Sequence, residues 1–290
     1  MAGYVDIHCH GGGGHTFGDS VAGTLAAFAA HKAHGTVGLV ASLVSMPVNQ
    51  LERAVAVVRE AMAAEPGILG IHLEGPFLSP DRRGAHDPAA LAVPTERLIA
   101  QILGIVGNDL RQVTIAPELP GALEAVRAFR EAGAVVAVGH TTADAERTAA
   151  AFDAGASLIT HAFNAMSGIE GREIGPVGAA VANPNVTIEV IADGIHLSPT
   201  VIRTVFAAAP GRVALVTDAM GAAGAGPGRY ALGGLDVDVA DGRAVIAGTE
   251  TLAGSTLTMD RAVAVCIEAG VAPAEAQAAA SSTPARVLAT

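Results

Sequence analysis

Short runs of apolar, often β-branched residues recur along the chain and alternate with longer Ala-rich stretches. The runs fall at 4–8, 37–44, 68–73, 112–116, 135–139, 157–160, 186–191 and 212–217, and predict eight strands. Between them, segments such as 50–64, 119–132, 143–154 and 199–208 read as helices. Near-continuous apolar strands separated by helices imply a parallel sheet covered on its outer face. Eight such units over about 250 residues match a closed (β/α)8 barrel of the TIM type. An open, doubly wound sheet is the rival architecture. It requires a glycine-rich phosphate turn leading into a helix after the first strand. Here the first strand runs into His8-Cys9-His10-Gly11-Gly12-Gly13-Gly14, which lacks the G-x-G-x-x-G spacing.

The pattern changes after the eighth strand. Residues 229–248 alternate and are broken by Asp241-Gly242, the signal of an inserted β-hairpin. Helices at 255–268 and 273–280 follow. No internal repeat and no linker divides the sequence, so one α/β domain over 1–290 is expected.

Composition narrows the partners. A hydrophobic content of 51% supports one large core. The formal charge of −11, without a basic cluster, argues against nucleic acid and anionic membrane. Aromatics make up 3% and Trp is absent, which removes the stacking platforms of single-strand binders. Cys9 and Cys266 are the only cysteines and lie far apart, which fits a reducing compartment rather than a disulfide framework. No basic stretch followed by an apolar run opens the chain, and no Ala-rich stretch reads as a membrane span. A cytoplasmic location is expected.

Ionisable residues gather where the strands end, the place where barrel enzymes keep their sites. His8 and His10 close the first strand. Alternation puts both on one side and Cys9 on the other, a spacing at which two imidazoles can bind one divalent metal. The third strand ends in His72-Leu73-Glu74, and a carboxylate after so apolar a run needs a metal or an Arg to compensate it. His72 reads as a hydrogen-bonded core histidine. His140 and His161 sit at the ends of strands five and six. Nitrogen and oxygen ligands of this kind suit zinc or another divalent transition metal. Asp218, after strand eight, is placed to act as general base toward an activated water. His196 adds a histidine after strand seven.

With these residues the sequence resembles the N-acetylglucosamine-6-phosphate deacetylase family of the amidohydrolase superfamily. The likeness runs in family order through Asp6-Ile-His-Cys-His-Gly-Gly11, His72-Leu-Glu-Gly-Pro-Phe77, Gly84-Ala-His86, Ala116-Pro-Glu118, Gly139-His-Thr141, Thr160-His-Ala-Phe-Asn-Ala-Met166, Ala192-Asp-Gly-Ile-His196, Leu215-Val-Thr-Asp218 and Leu252-Ala-Gly-Ser255. The resemblance implies removal of the acetyl group from N-acetylglucosamine 6-phosphate, giving glucosamine 6-phosphate and acetate. It implies Glu74, His140 and His161 as principal metal ligands, with His8 and His10 for a second ion that only some members hold. Zinc is the expected metal, with iron, cobalt and manganese as alternatives, and one or two ions. Asp218 matches the catalytic acid/base, and His86 the residue that meets the acetamido and sugar oxygens. Asn164, the backbone of Ala165, and His196 match phosphate contacts. Arg172 matches an arginine that reaches the phosphate in a neighbouring subunit, so a homodimer is implied.

Members of that family carry a small β-sandwich built from strands before and after the barrel. This sequence starts almost at strand one and reaches Ser282-Thr283-Pro284-Ala285-Arg286 where the returning strands would begin. A barrel without most or all of that sandwich is therefore expected, with dimer formation and the Arg172 role in question. Two rival readings stay open. One is a different amidohydrolase acting on a cyclic or acyl amide. Its dihydroorotase-like form, with a strand-four lysine between two metals, is disfavoured because the only lysine is Lys32 and strand four ends at Glu118. The other is a barrel that binds a sugar phosphate without turnover.

Overall fold

The computed structural model describes residues 3–289. Its strands are β1 (Tyr4–Cys9), β2 (Gly11–Gly12), β3 (His15–Thr16), β4 (Thr36–Val44), β5 (Ile68–Glu74), β6 (Leu110–Ile115), β7 (Val135–Val138), β8 (Leu158–Ile159), β9 (Thr187–Ile191), β10 (Val213–Val216), β11 (Gly228–Leu232), β12 (Leu235–Ala240) and β13 (Arg243–Ile246). Its helices are α1 (Val21–Ala33), α2 (Val48–Ala64), α3 (Glu96–Val106), α4 (Ala122–Glu131), α5 (Ala145–Ala154), α6 (Gly175–Ala182), α7 (Pro199–Ala208), α8 (Met259–Glu268), α9 (Pro273–Ala279) and α10 (Ser282–Val287).

Eight parallel strands run in the order β1-β4-β5-β6-β7-β8-β9-β10, with helices packed outside them. This is the barrel that the alternating pattern predicts. The seam between β1 and β10 is tied in two ways. The Asp218 amide donates to the His8 carbonyl at 2.8 Å, and the amides of His10 and Gly11 donate to Ala219. Deeper down, the buried Asp6 carboxylate accepts from the amide and hydroxyl of Thr217. Burial pushes Asp6 up to about 7, against those hydrogen bonds.

Polar caps fix several helix starts. Ser20, Thr95, Asp144 and Ser198 each accept an amide from the first turn of α1, α3, α5 and α7. The Asp144 cap explains why α5 begins at Ala145 and not at 143. The helix expected over 255–268 begins only at Met259. Ser255 is pinned to the loop after β10, donating its amide to Asp218 and accepting from Met220. The expected hairpin at 229–248 is a three-stranded antiparallel sheet, β11-β12-β13, because Gly233-Gly234 makes a second turn beside Asp241-Gly242. Both glycines of that extra turn have positive φ, 57° and 82°, which suits residues without a Cβ.

Inside the barrel, a polar layer lies beneath the mouth. Ser42 Oγ meets His72 Nδ1 at 2.9 Å, His72 Nε2 meets Thr114 at 2.9 Å, and Thr114 meets Thr160 at 2.8 Å. His72 is thus the satisfied core histidine expected, and burial, reinforced by His8, holds its pKa well below the ordinary range. Cys9 and Cys266 are both buried free thiols. No helix among the described residues is long and apolar enough to cross a membrane.

Between the strands and the helices, Phe129 of α4 is fully buried and its ring lies 6.3 Å from that of Phe77. Truncation leaves a void that the close-packed layer cannot refill. Phe129→Ala is expected to lower the unfolding free energy by about 3–5 kcal/mol, read by denaturant titration. A loss under about 1 kcal/mol would mean that this layer is loosely packed.

Candidate active site

The loops after the strands bring seven of the sequence-selected side chains to one point at the barrel mouth. Glu74, the last residue of β5, is the hub. Its Oε1 lies 3.0 Å from His161 Nε2, 3.1 Å from His140 Nε2 and 3.4 Å from His8 Nε2. Its Oε2 lies 3.2 Å from both His10 Nε2 and His86 Nε2. Asp218 Oδ1 completes the ring, 3.2 Å from His10 Nε2 and 3.4 Å from His8 Nε2. All seven residues are buried.

The backbone aims several of these groups. His140, His161 and Asp218 have φ of 47°, 24° and 47°, and Ala165 in the neighbouring loop has 50°. Non-glycine residues seldom take the left-handed region, and such strain collects at sites that the surrounding fold over-determines. At His140 one restraint is Glu118, which accepts the hydroxyls of Thr141 and Thr142 and the Thr142 amide. Glu118 thus braces the loop that carries His140.

Charge in the cluster is lopsided toward carboxylate. Burial would raise Glu74, but His8, His10 and His140 outweigh it and hold its pKa well below the usual range. Burial likewise opposes ionisation of Asp218, and His8 and His10 prevail, leaving it at about 2. The same attraction lifts His10 to about 9, against the effect of burial. Two ionised carboxylates thus gather protons onto the facing imidazoles, and a divalent cation can displace those protons from the same nitrogens. The donor set fits such an ion. Glu74, His140 and His161 offer ligand atoms within 4.8 Å of one another, and so do His8, His10 and Glu74. His140 donates Nδ1–H to the Arg82 carbonyl at 2.8 Å, which leaves Nε2 for a cation.

His86 differs in kind. Its Nδ1 accepts the Ser45 amide at 3.2 Å, so the ring hydrogen sits on Nε2 and points at Glu74. Burial depresses its pKa to about 4, so near neutral pH it is an uncharged donor rather than a ligand.

A cavity of about 420 Å³ opens above the cluster. Glu74, His86, His140, His161 and Asp218 line its floor, with Asn164, Ala165 and His196 on its wall. Asn164 Nδ2 donates to the His161 and Ala162 carbonyls. His196 Nδ1 lies 2.6 Å from Asp193 Oδ2, and that carboxylate outweighs burial and raises the His196 pKa. Arg172 is exposed on the loop after β8 and does not line this cavity. Leu232, Thr251 and Leu252, from the three-stranded sheet and the turn after it, roof the opening.

A third buried group brings Asp6 and Cys9 of β1 together with His31 of α1. Asp6 is committed to Thr217 and His31 Nε2 to the Gly11 carbonyl, while His31 Nδ1 is buried without a hydrogen-bond partner. It serves the barrel seam. Glu189 and Gln112, buried beneath the cluster, escaped the sequence reading. An acidic residue inside the apolar run 186–191 was the available signal.

The model of the amidohydrolase family matches residues 1–290. The chain belongs to the amidohydrolase family. Among its relatives, it is 39% identical to N-acetylgalactosamine-6-phosphate deacetylase of Escherichia coli O157:H7, over 98% of this chain and 77% of that protein. It is 36% identical to N-acetylglucosamine-6-phosphate deacetylase of Danio rerio, over 99% of this chain and 74% of that one. Its structure resembles that of a mutant N-acetyl-D-glucosamine-6-phosphate deacetylase from Mycobacterium smegmatis in complex with N-acetyl-D-glucosamine-6-phosphate. The TM-score is 0.93 at 43% identity, covering 100% of this chain and 77% of that one. These findings bear out the resemblance read from the motifs, and membership in the amidohydrolase family brings metal dependence with it.

Proposed function

We propose that this amidohydrolase removes the acetyl group from N-acetylglucosamine 6-phosphate, releasing acetate and glucosamine 6-phosphate. The observation that carries this reading is the convergence of Glu74, His140, His161, His8, His10 and Asp218 beneath a cavity of substrate size. Glu74, His140 and His161 would hold the principal ion, and His8 and His10 would serve a second. Zinc suits a donor set rich in imidazole. When bound, the ion supplies an acidified water near neutral pH and polarises the acyl carbonyl.

The chain's own residues do the rest. Asp218, held ionised, takes the proton of the attacking water and returns it to the departing amine. His86 donates Nε2–H to the acyl oxygen as negative charge develops there. Asn164, the Ala165 amide and His196, whose pKa Asp193 raises, hold the phosphate, and Arg172 of a second copy completes that pocket in a homodimer. A cytoplasmic setting fits an intracellular sugar phosphate.

Acetate release from N-acetylglucosamine 6-phosphate, with and without chelator, tests the reading. Chelator-insensitive release, or none with zinc supplied, counts against it. The 39% identity to a galactosamine-type deacetylase favours a second reading, in which the C4 epimer is the better substrate. The ratio of kcat/KM for the two epimers decides between them. His196→Gln should raise KM roughly 10- to 100-fold through loss of one charged hydrogen bond, with kcat nearly unchanged. Arg172→Ala should weaken the phosphorylated sugar as well, and unchanged KM would argue against a shared phosphate pocket.

A further inference from the structure

Glu189 belongs to none of the motifs above, yet it sits fully buried in the middle of β9. A carboxylate so placed is costly unless its oxygens meet donors. Here each oxygen does. Oε1 accepts from Gln112 Nε2 at 2.7 Å, while Oε2 accepts from the His161 amide at 3.1 Å and from His8 Nδ1 at 3.0 Å. Three donors from β6, the loop after β8, and β1 leave the group little freedom to turn.

The consequence falls on His8. Both Glu189 oxygens already accept N–H donors, so His8 Nδ1 meets an acceptor and keeps its hydrogen. The proton that can leave this ring is the one on Nε2, which lies 3.2 Å from His10 Nε2 and faces Glu74 and Asp218. The ring is otherwise held by close neighbours, His72 at 4.5 Å and His10 at 5.2 Å between centroids. His10 and His161 differ, since their Nδ1 atoms are buried without a hydrogen-bond partner. His8 is thus the one imidazole of the proposed ligand set whose Nδ1 is held by a buried carboxyl group. Carboxylate behind imidazole is a general way of fixing a ligand's tautomer and raising its basicity.

We infer that Glu189 is a positioning residue for the cation site, acting through His8: it fixes the ring with Nε2 turned to Glu74 and so sets the affinity for the ion that His8 shares with His10. The inference rests on the metal-centred reading of the site. Occupancy at the rim is then decided one layer down, inside the barrel.

The test titrates zinc into the dialysed full chain in competition with a chromophoric chelator. Wild type is compared with Glu189→Gln, His8→Gln and the double variant. Glu189→Gln is expected to weaken the His8-dependent step about 10- to 100-fold, and the double variant to bind no more weakly than His8→Gln alone. Wild-type affinity in Glu189→Gln overturns the inference, as does a loss that adds in full to that of His8→Gln. The ring nitrogens of His8 in the 15N-labelled, zinc-loaded wild type give a second readout that needs no variant. A hydrogen on Nδ1 supports the assignment and one on Nε2 overturns it. A wild-type chain that binds no zinc would instead sink the metal-centred reading itself.

Discussion

Asp218→Asn is expected to abolish acetate release while the metal content stays at the wild-type level. The exchange keeps the shape of the side chain and removes its ability to take a proton. Asp218 Oδ1 lies 3.2 Å from His10 Nε2 and 3.4 Å from His8 Nε2, at the edge of the cluster rather than at its hub. The bond that ties this residue to the seam runs through its backbone amide to His8, which the substitution leaves intact. The loss should therefore reach the full worth of general acid–base catalysis, roughly 10²- to 10⁴-fold, since one group serves both proton transfers. Acetate assay together with metal analysis of the same preparation checks this. Turnover near the wild-type rate would remove Asp218 from its role, and loss of the ion would recast it as a ligand.

Glu74→Ala should go further and take both metal and activity away. Glu74 lies within 3.4 Å of five imidazole nitrogens, and both candidate ligand trios include it. Without that carboxylate the remaining ligands are imidazoles crowded against one another, with His140 Nε2 only 3.0 Å from His161 Nε2. Unassisted water is far too weak an acid to give hydroxide near neutral pH, whereas zinc lowers the pKa of a bound water to about 7. Acetate release should accordingly drop by several orders of magnitude, and ions per chain should fall toward zero. Metal analysis and the acetate assay decide it. An active, metal-free variant would overturn the reading of this cluster as a metal centre.

The barrel was legible because buried parallel strands are apolar throughout, so each run announces itself whatever its neighbours do. The helices were less uniform. α1 and α6 are built largely of Ala, Gly and Val, and small residues on all sides blur the 3.6-residue contrast that marked α2 and α4. The site read well wherever a polar residue closed an apolar run, as at Glu74, His140, His161 and Asp218. Glu189 did not, because it lies within a strand, and only the closed barrel reveals that its neighbours are His8 and Gln112. His86 is a subtler case. Its likeness to a family residue pointed to the sugar, but its role as a neutral donor depends on the Ser45 amide, and nothing in the local sequence brings those two together.

The join between β1 and β10 has a consequence for how this protein is made. Asp6 and Thr217, which lock that join, stand 211 residues apart in the chain. Contacts of such span form slowly, because a long loop must close before any gain is felt. During synthesis the imidazoles of β1 emerge ahead of the rest of the site, while Asp218 follows only after seven further barrel strands. Assembly of the site thus waits on closure of the barrel, and recovery of turnover after dilution from denaturant should lag behind recovery of helical signal.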